Sequence, residues 1–387
     1  MKKKIAILGS TGSIGKTLFN ILKKDRKKSE IILLTANKSH KILLNQAKLL
    51  NVKNLVITNK KDYELLIKKT KNTDIKVFNN YDELKLIFKK KIDYVMSSIS
   101  GINGLEPTIK IIKFTKKIAI ANKESIICGW NLIQSELKKY KTQFIPVDSE
   151  HFSIWYGLKS SKINNLEKLI ITASGGPFYK TPLNEFKKIK VSDALKHPNW
   201  KMGKKISTDS ATMINKVYEV IEARKIFGIN YKYIKILIHP KSYVHAILKF
   251  NNGLTNIIVH DTTMKIPIFN TLFFDFNKKL KTKKININIL NNLNFNDVDS
   301  KRYPMIKLLN FLPENHSLFE TIVVSANDKL VELFLNNKIK FTDIQKNLFK
   351  LIKEKEFKKY KKKFPSKIKD IVKLNDYVRL KVEKNII

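Results

Sequence analysis

Ile5-Ala6-Ile7-Leu8-Gly9-Ser10-Thr11-Gly12-Ser13-Ile14-Gly15 gives the chain a short apolar run, a glycine-rich turn and the start of a helical pattern that continues to Lys24. A strand, a glycine turn and a helix N-terminus make a pyrophosphate cradle, because glycines admit close backbone approach and the free N–H groups and helix dipole favour an anion. Glycine spacing alone says little. Its strand-to-helix setting is what carries the reading. β-favouring runs follow at 31–36, 55–58, 75–78, 94–99, 118–121 and 143–147, with helical spacing between several of them. That alternation predicts an α/β fold whose N-terminal domain, residues 1–150, is a Rossmann-like doubly wound sheet with ligands at the C-terminal strand ends.

The second strand ends in Asn37-Lys38-Ser39, where an NAD site would place an acid. A lysine and small polar groups suit a 2′-phosphate, so NADPH is the expected cofactor. Asn122-Lys123-Glu124 lies at another strand end, and Pro146-Val147-Asp148-Ser149-Glu150-His151 at a third. Phe144, Ile145 and Val147 read as a buried strand, and at a period of two Asp148 and Glu150 point the same way. Two such carboxylates can meet one hard cation such as Mg²⁺ or Mn²⁺. An isolated pair of this kind is more often a solvated acidic turn, so the later chain decides.

Beyond residue 150 a strand at 169–173 runs into Ser174-Gly175-Gly176-Pro177, a turn whose hydroxyl and N–H groups can hold an anion. His197-Pro198-Asn199-Trp200-Lys201-Met202-Gly203 is too rich in Pro, Gly and large side chains for a regular element. Its tryptophan is either a lid that excludes water or an anchor that packs the loop down. The stretch from Ser207 to Glu219 opens a helix with Asp209 or Ser210 as N-cap. Asn215, Lys216 and Glu219 then share one face. The plain alternative is a surface ion pair; the functional reading is a phosphate site with Glu219 as a third carboxylate. Strands at 234–238, 244–250 and 255–260 predict a small, mainly antiparallel sheet, giving an α+β catalytic domain over 151–273. A linker at 274–299 leads to a C-terminal helical domain, 300–387, with helical spacing at 319–337, 341–355 and 368–383.

Composition supports two or three domains: 387 residues, 43% hydrophobic and 10% aromatic, can bury real cores. The formal charge of +43 comes from 76 Lys+Arg against 33 Asp+Glu, and only four are arginines, leaving 76 − 4 = 72 lysines. They are spread through nearly every segment, which reads as compositional bias and not as a nucleic-acid patch. The single cysteine, Cys128, excludes an internal disulfide and fits a reducing compartment. It sits in a helix-like stretch without a base partner, which argues against a dehydrogenase with a thiol nucleophile. No apolar run is long enough for a signal peptide or a membrane span, so a cytoplasmic protein is expected.

Several motifs now fall into one order: Leu8-Gly9-Ser10-Thr11-Gly12-Ser13-Ile14-Gly15, Ala121-Asn122-Lys123-Glu124-Ser125, Pro146 to His151, Ser174-Gly175-Gly176-Pro177-Phe178, His197-Pro198-Asn199-Trp200, Lys205-Ile206-Ser207, Asp209-Ser210-Ala211-Thr212-Met213 and Ile238-His239-Pro240. In this the chain resembles the 1-deoxy-D-xylulose 5-phosphate reductoisomerase family over nearly its whole length. The resemblance implies an NADPH- and metal-dependent rearrangement and reduction giving 2-C-methyl-D-erythritol 4-phosphate in non-mevalonate isoprenoid synthesis, by a homodimer. It implies that Thr11, Gly12, Ser13 and Ile14 hold the NADPH pyrophosphate, with Asn122 and Glu124 beside the cofactor. Asp148, Glu150 and Glu219 match the ligands of a divalent cation (Mn²⁺, Mg²⁺ or Co²⁺), with Lys123 and Ser149 next to the substrate oxygens. Ser174, Ser210, Asn215 and Lys216 match the substrate-phosphate site, His197 lies beside it, and Trp200 matches the tip of a mobile lid. Gly203, His245 and Met264 fall where the family lines its pocket. The chain departs from the family in Asn37-Lys38-Ser39 for Gly-Lys-Asn, in Val217-Tyr218 for Gly-Leu, and in lacking Pro-Asp before Met264.

Overall fold

Residues Lys3–Leu8 form β1, with Ile5, Ala6, Ile7 and Leu8 fully buried, as a strand covered on both faces requires. The structure is a computed structural model that describes residues 2–160, 163–274 and 278–386. From β1 the chain alternates through α1 (Ser13–Lys23), β2 (Ser29–Ala36), α2 (His40–Leu50), β3 (Asn54–Ile57), α3 (Lys60–Thr70), β4 (Lys76–Phe78) and α4 (Leu84–Ile87). It continues with β5 (Tyr94–Ser97), α5 (Leu105–Ile112), β6 (Lys117–Ile120), α6 (Lys123–Lys139) and β7 (Gln143–Pro146). These strands pair in parallel in the order β4-β3-β2-β1-β5-β6-β7. The order reverses between β1 and β5, and a doubly wound sheet opens its ligand crevice at such a point.

The second part begins with α7 (Ser149–Gly157) and β8 (Leu166–Ala173), followed by α8 (Val191–Ala194), α9 (Lys204–Thr212), α10 (Ile214–Phe227), β9 (Ile234–Ile238), β10 (Val244–Phe250) and β11 (Thr255–Val259). After α11 (Lys265–Phe273) come α12 (Ile287–Asn291), β12 (Asn296–Asp297), α13 (Phe319–Leu335), α14 (Phe341–Ile352), α15 (Lys355–Lys358) and α16 (Ile368–Lys384). The second sheet runs β11-β10-β8-β9-β12, antiparallel except for β8 with β9. Alternate residues Leu169, Ile171 and Ala173 of β8 and Ala246, Leu248 and Phe250 of β10 share a core with Ile154 of α7 and Val220 and Ala223 of α10. This packing sets α7 and α10 side by side.

Two compact units result: Met1–Ser125 with Leu132–Asp148 and Met264–Leu280, and Ile126–Asn131 with Ser149–Thr263 and Lys281–Ile387. Although α11 follows the second sheet in sequence, its Ile268 and Leu272, four residues apart, are buried in the core of the first unit. Each such side chain contributes roughly 2 kcal/mol of burial. Thr271 adds a hydroxyl contact to Tyr94 at 2.8 Å, and Lys3 donates to the Leu272 carbonyl at 2.8 Å. The stretch 274–299, read as a linker, contains α12 and β12; its residues 275–277 lie outside the described residues.

Two local expectations need correction. The strand before Asp148 ends at Pro146, and Glu150 lies in the first turn of α7, so Asp148 and Glu150 do not alternate along a strand. A parallel strand in this fold hands over to a helix at its C-terminal end. Asp209 and Ser210 are not N-caps: α9 starts at Lys204 after Gly203 and breaks at Met213, which is left-handed at φ 68° before α10 begins. The Asp209 carboxylate serves Lys205 and Asn327 and caps no backbone N–H.

The far end of α10 is tied to α13 by a buried network. Lys225 Nζ lies 2.9 Å from Glu320 Oε1 and contacts His316 Nδ1, while Ser317 donates its N–H (3.0 Å) and hydroxyl (2.7 Å) to Glu320 Oε2. Burial works to raise the Glu320 pKa, but Lys225, His316 and Ser317 outweigh it and hold it at about 2.

Candidate active site

In the first unit the glycine turn is pinned to β2. Gly9 N–H donates to Thr35 Oγ1 at 3.0 Å and Ser10 N–H to the Thr35 carbonyl at 2.8 Å. Gly9 has φ 78°, and a Cβ on Gly15 would stand 2.3 Å from the Gly9 carbonyl oxygen, so both positions require glycine. Gly12, the N-cap of α1, is extended and offers no side-chain cap, which leaves the first-turn N–H groups of α1 for an anion. Thr11, Gly12, Ser13 and Ile14 are all partly or fully exposed there. Asn37, Lys38 and Ser39 are exposed at the end of β2, with Asn37 Nδ2 donating to Thr58 Oγ1 at 2.8 Å and Ser39 left-handed at φ 68°. At the end of β6, Asn122 caps α6 by accepting Ser125 N–H at 2.9 Å, and its amide donates to the carbonyls of Ile99 and Gly101. Glu124 is in the first turn of α6, and Met264, the N-cap of α11, packs on the core of this unit. Lys123 is 7% exposed, with its ammonium 3.2 Å from Asp148 Oδ2.

The second unit gathers five polar side chains from α7 and α10. Ser149 Oγ donates to Glu150 Oε2 at 2.6 Å, and Lys216 Nζ donates at 2.5 Å to Glu150 Oε1 and at 2.5 Å to Glu219 Oε2. Asn215 Nδ2 donates to Glu219 Oε1 at 2.5 Å. The spacing of three and four residues on α10 therefore does place Asn215, Lys216 and Glu219 on one face. Glu219 is 1% exposed and Lys216 is 7%, so this is no solvated surface pair. Burial pulls the Lys216 pKa down, but Glu150 and Glu219 outweigh it and raise it. One ammonium faces two carboxylates, which leaves a net negative charge for a cation to neutralise. His151, next along α7, donates from Nε2 to the Glu219 carbonyl at 2.9 Å and so fastens α7 to the turn of α10 that carries the cluster.

The Lys216 charge also acts on His197, which with Ser174 offers groups suited to an anion. His197 Nδ1 accepts the backbone N–H groups of Asn199 (3.2 Å) and Trp200 (3.0 Å), so a neutral ring carries its proton on Nε2, 3.0 Å from Ser174 Oγ. Burial, then the Lys216 charge, lowers the His197 pKa to about 4, which keeps the ring neutral near pH 7. Ser174 Oγ also accepts Gly176 N–H at 2.9 Å. With two protons accepted, the hydroxyl has its own proton to donate to an anion. Gly176 is left-handed at φ 64°, and a Cβ there would lie 3.0 Å from the Ser210 carbonyl, so this turn abuts the end of α9. Ser174, Ser210, Asn215, Lys216 and His197 thus lie in one unit.

The loop from His197 to Gly203 has no regular element, as its composition predicts. The Trp200 ring lies 6.1 Å from the His245 ring, edge to face, so in this conformation the tryptophan packs the loop down. Asn199 Nδ2 reaches the Pro240 carbonyl at 2.5 Å and Ser242 Oγ at 2.8 Å. Sequence reading missed His260, whose ring stacks on His245 at 3.6 Å. The signal was the Asn251-Asn252-Gly253 turn: it closes the β10–β11 hairpin and fixes a register that brings the two histidines together. Burial, then His260, lowers the His245 pKa to about 3. Gly203 caps α9, with open space where a side chain would stand.

Family models described as 1-deoxy-D-xylulose 5-phosphate reductoisomerase match residues 5–129, and its C-terminal domains match 144–227 and 260–381. A curated 1-deoxy-D-xylulose 5-phosphate reductoisomerase of Pelagibacter ubique (strain HTCC1062) is 61% identical over 382 residues, 98% of each chain. The reductoisomerase of Zymomonas mobilis in complex with NADPH superposes with a TM-score of 0.88 at 29% identity, covering 100% of this chain and 99% of that one. A DOX-P reductoisomerase in complex with NADPH, fosmidomycin and magnesium gives 0.91 at 28% identity, covering 99% and 98%. The chain belongs to the 1-deoxy-D-xylulose 5-phosphate reductoisomerase family.

Proposed function

We propose that this protein converts 1-deoxy-D-xylulose 5-phosphate to 2-C-methyl-D-erythritol 4-phosphate, with NADPH as reductant and a divalent cation at Asp148, Glu150 and Glu219. The observation that carries it is the buried Glu150–Lys216–Glu219 cluster beside the anion-ready Ser174. Asp148, Glu150 and Glu219 offer carboxylate oxygens alone, a hard-oxygen set that fits Mg²⁺, Mn²⁺ or Co²⁺.

When bound, the cation polarises the ketose carbonyl and its neighbouring hydroxyl while the carbon skeleton rearranges, and the nicotinamide supplies hydride to the resulting aldehyde. Ser174, Ser210, Asn215 and Lys216 hold the phosphate, with neutral His197 keeping the Ser174 hydroxyl oriented to donate. Lys123 and Ser149 stand next to the substrate oxygens. Trp200 closes the loop over the pocket, which His245 lines, and keeps water from the intermediate. Thr11 to Ile14 cradle the pyrophosphate and Asn37 to Ser39 the 2′-phosphate, with Asn122, Glu124, Gly203 and Met264 lining the cofactor. NADPH oxidation that depends on 1-deoxy-D-xylulose 5-phosphate and stops in excess chelator is the expected result; oxidation undiminished by chelator would refute the reading.

Lys38 follows β2 where an acid would otherwise sit, so NADPH should be preferred over NADH and Lys38→Glu should erode the preference by roughly tenfold or more. Equal turnover with both cofactors in the parent would count against it. In the domain arrangement we favour, residues 1–150 bind cofactor, 151–273 carry catalysis and dimerisation, and 300–387 form a helical domain after the 274–299 linker. The protein is proposed to be cytoplasmic, and among the described residues no helix is long and apolar enough to cross a membrane. It is proposed to act as a homodimer. In support, β11 is an edge strand whose Ile257 is 47% exposed, with Leu254 just before it 63% exposed, an arrangement that a second copy would cover. Light scattering should give twice the 45.0 kDa chain mass; a monomer at micromolar concentration would contradict it.

A further inference from the structure

α9 is a helix of nine residues between an irregular loop and the left-handed break at Met213, so its own ends do not fix its direction. What holds it is a charged contact with α13. Asp209, the residue before Ser210, is 1% exposed; its Oδ1 accepts Asn327 Nδ2 at 2.9 Å, and its Oδ2 pairs with Lys205 Nζ at 2.9 Å. Lys205 also pairs with Asp328 Oδ1 at 2.9 Å, and Asn327 is fully buried. Neighbours on α13 thus grip both a carboxylate and an ammonium one helical turn apart on α9. The tolerance on the other side of α9 is small, because a Cβ at Gly176 would stand only 3.0 Å from the Ser210 carbonyl oxygen, closer than ordinary contact.

We propose that Asn327 and Asp328 are positioning residues for the substrate phosphate: through Asp209 and Lys205 they fix α9 so that Ser210 faces Ser174 and Lys216 across one anion pocket. This rests on the anion pocket proposed above and assigns the C-terminal helices a part in substrate affinity. Neither residue touches the substrate. A buried carboxylate that loses a donor must turn toward another, and α9 turns with it.

The test is steady-state kinetics of Asn327→Leu and Asp328→Asn in the full-length protein, with Asp328→Glu as the conservative variant and Ser210→Ala as the control for the pocket. Asp328 is 17% exposed, so Asp328→Asn keeps the test available if Asn327→Leu does not fold. The expected result is a KM for the sugar phosphate raised roughly five- to tenfold. The KM for NADPH should be unchanged and kcat within about twofold, with Asp328→Glu close to the parent. A phosphono-hydroxamate should weaken in parallel, while a hydroxamate without the phosphonate keeps its affinity. A fall in thermal stability with an unchanged sugar-phosphate KM would overturn the proposal, as would equal rises in both KM values. If Ser210→Ala raises the KM and the α13 variants do not, the pocket stands and the positioning role falls. If Ser210→Ala leaves it unmoved, the pocket reading fails and takes the proposal with it.

Discussion

Glu219→Gln is expected to lower kcat about a thousandfold while NADPH affinity stays within about twofold. The substitution keeps the shape of a side chain that is 1% exposed, and removes the charge that α10 would contribute to the proposed cation site. It also leaves Lys216 paired with Glu150 alone, so the ammonium competes more strongly for the carboxylate that remains. A loss of about 4 kcal/mol of charge stabilisation at the reacting carbonyl corresponds to that factor. Asp148→Asn and Glu150→Gln should fall in the same range. Kinetics of Glu219→Gln against Mg²⁺ decide the matter: a titration like the parent's would make Glu219 a structural partner of Lys216 and nothing more.

The second large effect is on stability. Glu320→Gln should destabilise the protein by about 3 to 5 kcal/mol, because it strands the Lys225 ammonium in the interior beside His316. The pH dependence has a definite sign. The folded-state pKa of Glu320, about 2, lies below its unfolded value, so its contribution is fully present above the unfolded pKa and is lost as pH falls toward 2. Denaturation curves of parent and variant should therefore be far apart near pH 7 and converge between about pH 5 and pH 2. Curves separated by a constant amount across that window would show that the charge on Glu320 does not stabilise the fold.

The first sheet was legible because its strands are continuous apolar runs and its turn needs glycine at Gly9 and Gly15, both local properties. The face shared by Asn215, Lys216 and Glu219 was legible for the same reason, since three- and four-residue spacing is set by the helix itself. Reading Asp148 and Glu150 as alternate strand residues failed because the switch from strand to helix at Ser149 is imposed by the packing of α7 against β10 and α10, not by propensity. The break at Met213 carried no glycine to announce it. The grip of Asn327 on Asp209 joins residues distant in sequence, and no local pattern encodes either partner. The return of α11 to the first unit escaped for the same reason: its apolar spacing says that it is buried, not in which core.

The most direct test of the account is calorimetric binding of fosmidomycin, a phosphono-hydroxamate whose chelating and anionic ends match the proposed cation and phosphate sites. With NADPH and Mg²⁺ present, the parent should bind it competitively with 1-deoxy-D-xylulose 5-phosphate. Binding should disappear in excess chelator, fall severely in Glu219→Gln, and weaken roughly tenfold or more in Lys216→Ala, which loses a charge-assisted hydrogen bond. Binding that persists undiminished in chelator, or that is indifferent to both substitutions, would show that the carboxylates and the anion pocket do not form one active site.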